Sequence, residues 1–208
     1  MTEQNNNVIL KISSNENSKH KIKPLSWRIP TNKELNIKSY VGTFVISAFP
    51  GCGKTYCYNH YHNKYTMLDS DSSNFSWIKD ENGNNTKERN PDFPNNYIKH
   101  IKDNIGKVDI IFVSSHKNVR KALAKNNINT IIVYSGLKMK EEYIKRYKRR
   151  GNDQKFIDFL SNNWNNFINE IDSEDYGFLK EKREYLDINY LEGLYDGAMG
   201  NLSEQWLN

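Results

Sequence analysis

The sequence predicts a three-layer α/β sandwich around a parallel sheet of at least four strands. Three observations carry that prediction. Four short runs rich in β-branched and aromatic residues read as buried strands: Thr43–Ala48, Tyr65–Leu68, Asp109–Val113 and Thr130–Tyr134. Segments with apolar residues at helical spacing lie between them, and alternating strands and helices pack as a parallel sheet covered on both faces. The 208 residues suffice to bury a substantial core.

In chain order, residues 1–40 read as an N-terminal extension, 41–171 as the main domain and 172–208 as a C-terminal segment packed on it. Val8–Ile12 has the pattern of a short strand, Ser13–Lys23 that of a loop, and Pro24 and Pro30 punctuate the extension. After the first strand come a glycine-containing turn and a helix over about Lys54–Asn63. Ser70–Pro94 is long, polar and asparagine-rich, with Phe75 and Trp77 as apolar anchors. Asn95–Ile105 reads as a helix from the spacing of Tyr97, Ile98, Ile101 and Ile105. Lys117–Lys125 is a further helix, and Leu137–Arg150 another, with Tyr143, Ile144 and Tyr147 on one face. Phe156–Ile171 carries a continuous apolar stripe that includes Leu160, Trp164 and Ile168. In the tail, Lys180–Leu186 reads as helical, and Leu191–Met199 is left open by its glycines.

Composition excludes several classes. Aromatic residues make up 12% of the chain, which a disordered sequence does not carry. No run of about 18 apolar residues occurs, so no transmembrane helix and no membrane partner are expected. No basic start followed by an apolar run opens the chain, so no secretory leader is expected. Cys52 and Cys57 are too few for a disulfide framework or a zinc site, and a reducing, cytoplasmic compartment fits. The net charge of +5 permits an anionic partner without requiring one. Lys138–Arg150 holds seven basic and two acidic residues, so this one segment accounts for the whole excess.

The chemistry-bearing stretch is Ala48-Phe49-Pro50-Gly51-Cys52-Gly53-Lys54-Thr55, which matches the phosphate-binding loop pattern with Ala48 at the first glycine position. Gly51 and Gly53 allow backbone conformations closed to other residues, so that N–H groups form an anion nest at a helix start. Lys54 reaches phosphate as a point charge, and the Thr55 hydroxyl suits Mg²⁺. Pro50, Cys52 and Tyr56 complete the expected nucleotide-contacting loop, the cysteines reading as small tolerated residues rather than redox centres. At the end of the second strand stands Leu68-Asp69-Ser70-Asp71. Ligands of open parallel sheets bind at the carboxyl ends of strands, so this carboxylate pair suits Mg²⁺ organisation or proton acceptance, the two residues not being separable. An Asx-type turn is the plain alternative.

The ordered set AFPGCGKT, LDSD, DIIFVSSHKNVRKAL, TIIVYSG and EEYIKRYKRRG, over about residues 42–171, resembles the compact P-loop kinases: nucleoside monophosphate kinases, shikimate- and gluconate-type kinases, and polynucleotide 5′-kinases. The resemblance implies a P-loop NTPase sheet with a basic helical lid, ATP as donor and Mg²⁺ as its cation. Arg146, Arg149 and Arg150, with Gly151, match the lid, where arginine neutralises charge on the transferred phosphoryl group and closure excludes water. The catalytic set so implied is Lys54, Asp69, Asp71, Arg146 and Arg150, with Arg149 on the nucleotide and Thr55 and Asp69 toward the metal. The acceptor site is expected from Asp71, Phe75, Trp77, Arg89 and Tyr97, the aromatics stacking on a base and Arg89 holding a phosphate, together with His116 and Arg120 at the next helix start. The third strand ends Val113-Ser114-Ser115-His116 with no carboxylate, where nucleoside monophosphate kinases often carry Asp, which leans toward a hydroxyl acceptor. The expected activity is phosphoryl transfer from ATP to a small nucleoside or nucleotide acceptor. The alternatives are a polynucleotide or other hydroxyl-acceptor kinase, which brings nucleic acid in as partner, and a non-catalytic nucleotide-binding regulator.

Overall fold

A computed structural model of the chain describes residues 42–196. The strand read over Val8–Ile12 and the rest of the extension lie outside the described residues, as do residues 197–208. The elements run β1 (Phe44–Ala48), α1 (Lys54–Tyr61), β2 (Met67–Asp69), α2 (Ser73–Ser76), β3 (Trp77–Lys79), β4 (Asn85–Arg89) and α3 (Asn95–Asn104). They continue with β5 (Ile110–Val113), α4 (Lys117–Lys125), β6 (Thr130–Tyr134), a 3₁₀ turn at Leu137–Met139, α5 (Lys140–Arg149), α6 (Gln154–Ser173) and β7 (Leu179–Lys182). Residues 188–196 are helical.

Five strands form one parallel sheet in the order β2-β5-β1-β6-β7. Successive side chains of a strand point to opposite faces, and β1 divides accordingly. Val45 packs with Ile111, Val113, Tyr97, Ile101, Val119 and Leu123 beneath α3 and α4. Ile46 and Ala48 pack with Phe112, Cys57, Tyr143, Trp164 and Ile168 beneath α1, α5 and α6. Apolar side chains on both faces demand helices on both faces, and the expected three layers result. β1 is central. The chain leaves it toward β2 on one side, and later passes from β5 through α4 to β6 on the other. That reversal opens a crevice at the carboxyl ends of the strands, the usual ligand position in such sheets.

Several sequence expectations need correction. The second strand begins later than expected and ends at Asp69 rather than Leu68. The polar stretch Ser70–Pro94 is not a plain loop: it holds α2 and an antiparallel β3–β4 hairpin in which Trp77 pairs with Arg89. The helix expected over Leu137–Arg150 starts with a 3₁₀ turn. Lys180–Leu186 is not helical. Leu179–Lys182 is the fifth strand, paired in parallel with β6, and the Arg183 N–H continues the ladder onto Tyr134 O at 2.8 Å. Its Leu-Lys-Glu-Lys sequence has helix-forming composition, but charged residues are also how a sheet edge is kept from pairing further. The basic helix is present, yet α5 is not a separate flap. Tyr143 and Tyr147 are 0% exposed and share the core with Phe49 and Trp164, so lifting α5 would carry two aromatic rings into water. No helix among the described residues is long and apolar enough to cross a membrane.

Candidate functional site

β1 stops at Ala48 and the chain turns twice through the left-handed region, at Gly51 (φ 87°) and Gly53 (φ 99°), before α1 starts at Lys54. The loop is fixed from below. Phe49 N–H donates to Val133 O at 2.8 Å, Cys52 N–H to Phe49 O at 3.0 Å, and Leu186 N–H to Cys52 O at 2.7 Å. The N–H groups of Gly51, Gly53, Lys54 and Thr55 have no acceptor among the described residues. Unpaired N–H groups at a helix start carry partial positive charge. The Lys54 ammonium folds back to donate to Ala48 O at 2.6 Å. Burial holds it below the ordinary lysine range; Arg150 adds to that, while Cys52, Asp69 and Asp71 oppose it.

Two tyrosines of α5 hold the loop from the side. Tyr147 Oη donates to Pro50 O at 2.8 Å. Tyr143 Oη donates to Glu184 O at 2.6 Å and lies 3.1 Å from Cys52 Sγ. A Cβ on Gly51 would stand 2.9 Å from the Tyr147 ring, so this position needs glycine for packing as well as for its φ. Both thiols are buried and burial raises them, Cys57 to about 12. Neither is a reactive thiolate.

Across the crevice, Thr55 Oγ1 donates to Asp69 Oδ2 at 2.8 Å. Asp71 is exposed, and its Oδ1 accepts from Ser73 N–H at 2.8 Å in an Asx-type turn that opens α2. Its other oxygen has no protein partner among the described residues. The two carboxylates thus differ: one is tied to the loop, the other faces the opening. Tyr97, fully buried, joins the ends of β2 and β5. Its hydroxyl donates to Ser70 O at 2.6 Å and accepts from Ser114 N–H at 3.2 Å. Burial raises that phenol to about 12, so it stays protonated. Ser47 Oγ donates to Ser114 O at 3.1 Å. His116 follows, at the start of α4. Desolvation, then Lys54, Arg120 and Arg89, hold it below the usual imidazole range, so near neutral pH it is uncharged.

The arginines of α5 close the third side. Arg146 pairs with Glu142 at 3.1 Å, donates to Glu184 O at 2.7 Å and lies over the Tyr143 ring. Arg149 is 3.5 Å from Glu142, and Arg150 is exposed beyond it. The resulting cleft, about 800 Å³, is lined by Pro50, Gly51, Gly53, Lys54, Thr55 and Tyr56 from the loop and by Asp69, Asp71 and His116 from the strand ends. Arg146, Arg149 and Arg150 line it from α5. Among the described residues no group of three His, Cys, Asp or Glu is suited to hold a metal ion alone. The paired Thr55 hydroxyl and Asp69 carboxylate are hard oxygen donors of the kind Mg²⁺ takes when phosphate supplies the rest.

Besides the buried Tyr97, four residues expected at the acceptor site lie elsewhere. Phe75 packs on Tyr97 and His100, with ring centroids 5.1 and 4.7 Å away, and pins α2 to the core. Trp77 and Arg89 stack on each other across the hairpin at 3.9 Å. Arg120 is 3% exposed and spends four of its five N–H groups within the protein: it bonds Glu174 at 2.6 and 2.7 Å, Glu170 at 2.7 Å, and the Ser115 carbonyl. Its charge is thereby committed to two carboxylates of the protein itself. Cys52 is buried under the loop rather than lining the cleft. Three tyrosines have supporting roles that the sequence does not reveal. Tyr143 and Tyr147 read as one face of a helix, and Tyr97 as an acceptor-site aromatic, but the hydroxyls at their tips donate to carbonyls far away in sequence. No family model and no curated protein matches this sequence.

Proposed function

We propose that the chain is a P-loop kinase-type phosphotransferase that moves the γ-phosphoryl group of ATP to a nucleoside or nucleotide acceptor. The observation that carries the reading is one cleft in which unpaired loop N–H groups, the Lys54 ammonium, the Thr55–Asp69 pair and three arginines converge. Such a cradle is built for a polyphosphate: oriented amides and cations take its charge, and the strand ends leave a carboxylate for the acceptor. The loop amides and Lys54 hold the phosphate chain. Thr55 and Asp69 are the groups for Mg²⁺, which when bound with the nucleotide neutralises charge between its outer phosphates. Arg150 and Arg149 neutralise the transferred group, with Arg146 held ready by Glu142 and Glu184. With a hydroxyl acceptor, the acceptor oxygen forms a bond to the γ-phosphorus, the bond to the bridging oxygen breaks and leaves ADP, and Asp71 takes the hydroxyl proton. The absence of a carboxylate after β5 leaves Asp71 as the open base in the cleft.

The test is transfer of label from ATP, with Mg²⁺, to a panel of nucleosides, nucleoside monophosphates, sugar acids and 5′-hydroxyl oligonucleotides. Lys54→Ala is expected to lower kcat by about a hundredfold or more, because the ammonium acts on developing charge. Transfer to oligonucleotides alone would move the reading to a polynucleotide kinase. Nucleotide binding with no transfer would move it to a regulator.

A further inference from the structure

A second chamber, about 500 Å³, opens behind the first between the start of α4 and α6. It shares Pro50, Ser115 and His116 with the cleft, so the two spaces meet along one wall. The first turns of α6 divide them: Phe156 faces the cleft, and Phe159 and Leu160 face the chamber. Its other apolar walls are Phe49, Phe167 and Ile171. Phe159 is 57% exposed although its neighbours are core residues. Its ring lies 5.6 Å from Phe167 at 57°, so neither face of Phe159 is covered by a parallel ring. Phe49 is itself held edge-on against Trp164 at 5.5 Å, so the floor of the chamber is rigid. The polar lining is basic on balance: Lys117, Arg120 and Lys121 stand beside His116 against one carboxylate, Glu170, which pairs with Lys117 and Arg120, and Lys121 has no carboxylate partner among the described residues.

An apolar chamber with an open aromatic face and a cationic rim, sharing Pro50, Ser115 and His116 with the phosphate cradle beside it, suits one ligand chemistry: a planar heteroaromatic ring linked to an anionic or hydroxyl-bearing tail that crosses the shared edge. We propose that this chamber holds the base of a nucleoside or nucleoside monophosphate acceptor, stacked on Phe159, with its sugar and tail passing His116 toward Asp71. The proposal rests on the phosphotransferase reading for the tail, but not for the ring. It also relocates the acceptor's base from the Phe75–Trp77 segment, whose aromatics are already occupied, to α6.

Calorimetric titration of the full chain tests it with three kinds of probe: the four common ribonucleoside 5′-monophosphates, ribose 5-phosphate, and inorganic tripolyphosphate with Mg²⁺. At least one monophosphate is expected to bind ten times more tightly than ribose 5-phosphate. Phe159→Ala is expected to remove about tenfold of that advantage, the usual weight of one base–aromatic stack, while leaving ribose 5-phosphate and tripolyphosphate unchanged. Phe159→Trp should restore it. Phe159 is a surface side chain, so its loss leaves the core intact. The proposal is overturned if no monophosphate binds better than ribose 5-phosphate, or if Phe159→Ala leaves the advantage in place. Failure of tripolyphosphate to bind would instead count against the phosphotransferase reading, because the base advantage is read without it.

Discussion

The two flanks of the cleft are built differently. On the α5–α6 flank, the two tyrosines that hold the Pro50–Gly53 loop are anchored in the core: Tyr143 and Tyr147 are wholly buried, and Tyr147 bonds Pro50 directly. On the opposite flank, a four-residue helix and a two-stranded hairpin carry Asp71, with Ile78, Lys79, Asn85 and most of β4 exposed. The contrast teaches where stiffness is needed. A cradle for charge works only if its dipoles are held in place before the ligand arrives. On the proposed reading, the edge that would admit an acceptor needs less fixing, and a segment with few buried apolar contacts opens locally at low cost. If one flank moves to shut out water, it is the hairpin side and not the basic helix.

The largest expected effect tests the stiff flank. Tyr147→Ala removes a fully buried ring and the bond to Pro50, and large-to-small aromatic changes in cores cost about 3–5 kcal/mol. For a chain of this length that lowers Tm by about 10 °C or more. Tyr147→Phe keeps the ring and loses only the hydroxyl bond, about 1 kcal/mol. Thermal melts of both separate packing from hydrogen bonding. Tripolyphosphate affinity is expected to fall in Tyr147→Ala at a temperature where it remains folded. An unchanged affinity there would mean that the loop holds its shape without α5.

Arg120 comes next. It ties α4 to α6 and holds the Ser115 carbonyl, so it positions the back wall rather than binding ligand. Arg120→Met removes the guanidinium that Glu174 accepts from and leaves Glu170 with Lys117 alone. About 2–3 kcal/mol is expected, below the ~3–5 of a wholly buried pair because Glu170 is partly open to water. A merely structural role would lower Tm alone. A positioning role should also raise KM for the acceptor while leaving tripolyphosphate binding intact.

The same ties predict an acid limit. Burial works against the Glu170 carboxylate, but Lys117 and Arg120 outweigh it and hold its pKa below the usual range. Asp172 is likewise held low, burial again being outweighed by Tyr134 and Lys182. A carboxylate depressed in the folded state contributes stability above its unfolded pKa, about 4, and loses it as pH falls through the folded value. Tm is therefore expected to be flat down to about pH 5 and to drop below about pH 4. In Arg120→Met the acid limb should be shallower, since part of the Glu170 depression is gone. An equally steep limb would place the acid sensitivity outside this cluster.

The flanks also differ in how far they could be read from sequence. The turn from β1 into α1 is legible because each of its residues does a local job: glycines turn, Lys54 folds back on Ala48, and Thr55 lies in the first turn of a helix. The sheet is legible in β1, β5 and β6 because those are apolar on both faces, whereas β2, an edge strand ending in Asp69, is expected two residues too early. β7 was misread because an edge strand needs only one partner, and Leu-Lys-Glu-Lys satisfies a helix pattern equally well. Arg120 reads as a ligand contact because its carboxylates, Glu170 near the end of α6 and Glu174 just past it, lie 50 and 54 residues further on. Trp77 and Arg89 read the same way because nothing local reveals that a hairpin stacks them on each other. What a residue does alone is readable; what occupies it from a distance is not.

The smallest expected effect tests the hairpin flank, and it decides the comparison. Trp77→Ala removes the stack with Arg89 and little else, since the ring is only half-buried and the hairpin lies outside the main sheet. An exposed cation–π pair is worth about 0.5–1 kcal/mol, so Tm should fall by no more than about 3 °C. Hydrogen exchange at the hairpin amides should quicken, while α5 amides keep their protection. Freed of the ring, Arg89 gains a cation's reach toward the cleft, where its charge already bears on His116. A large loss of stability, or α5 amides that exchange together with the hairpin, would mean that the two flanks open as one unit. Acceptor admission would then have to involve the basic helix after all, at the cost of exposing Tyr143 and Tyr147.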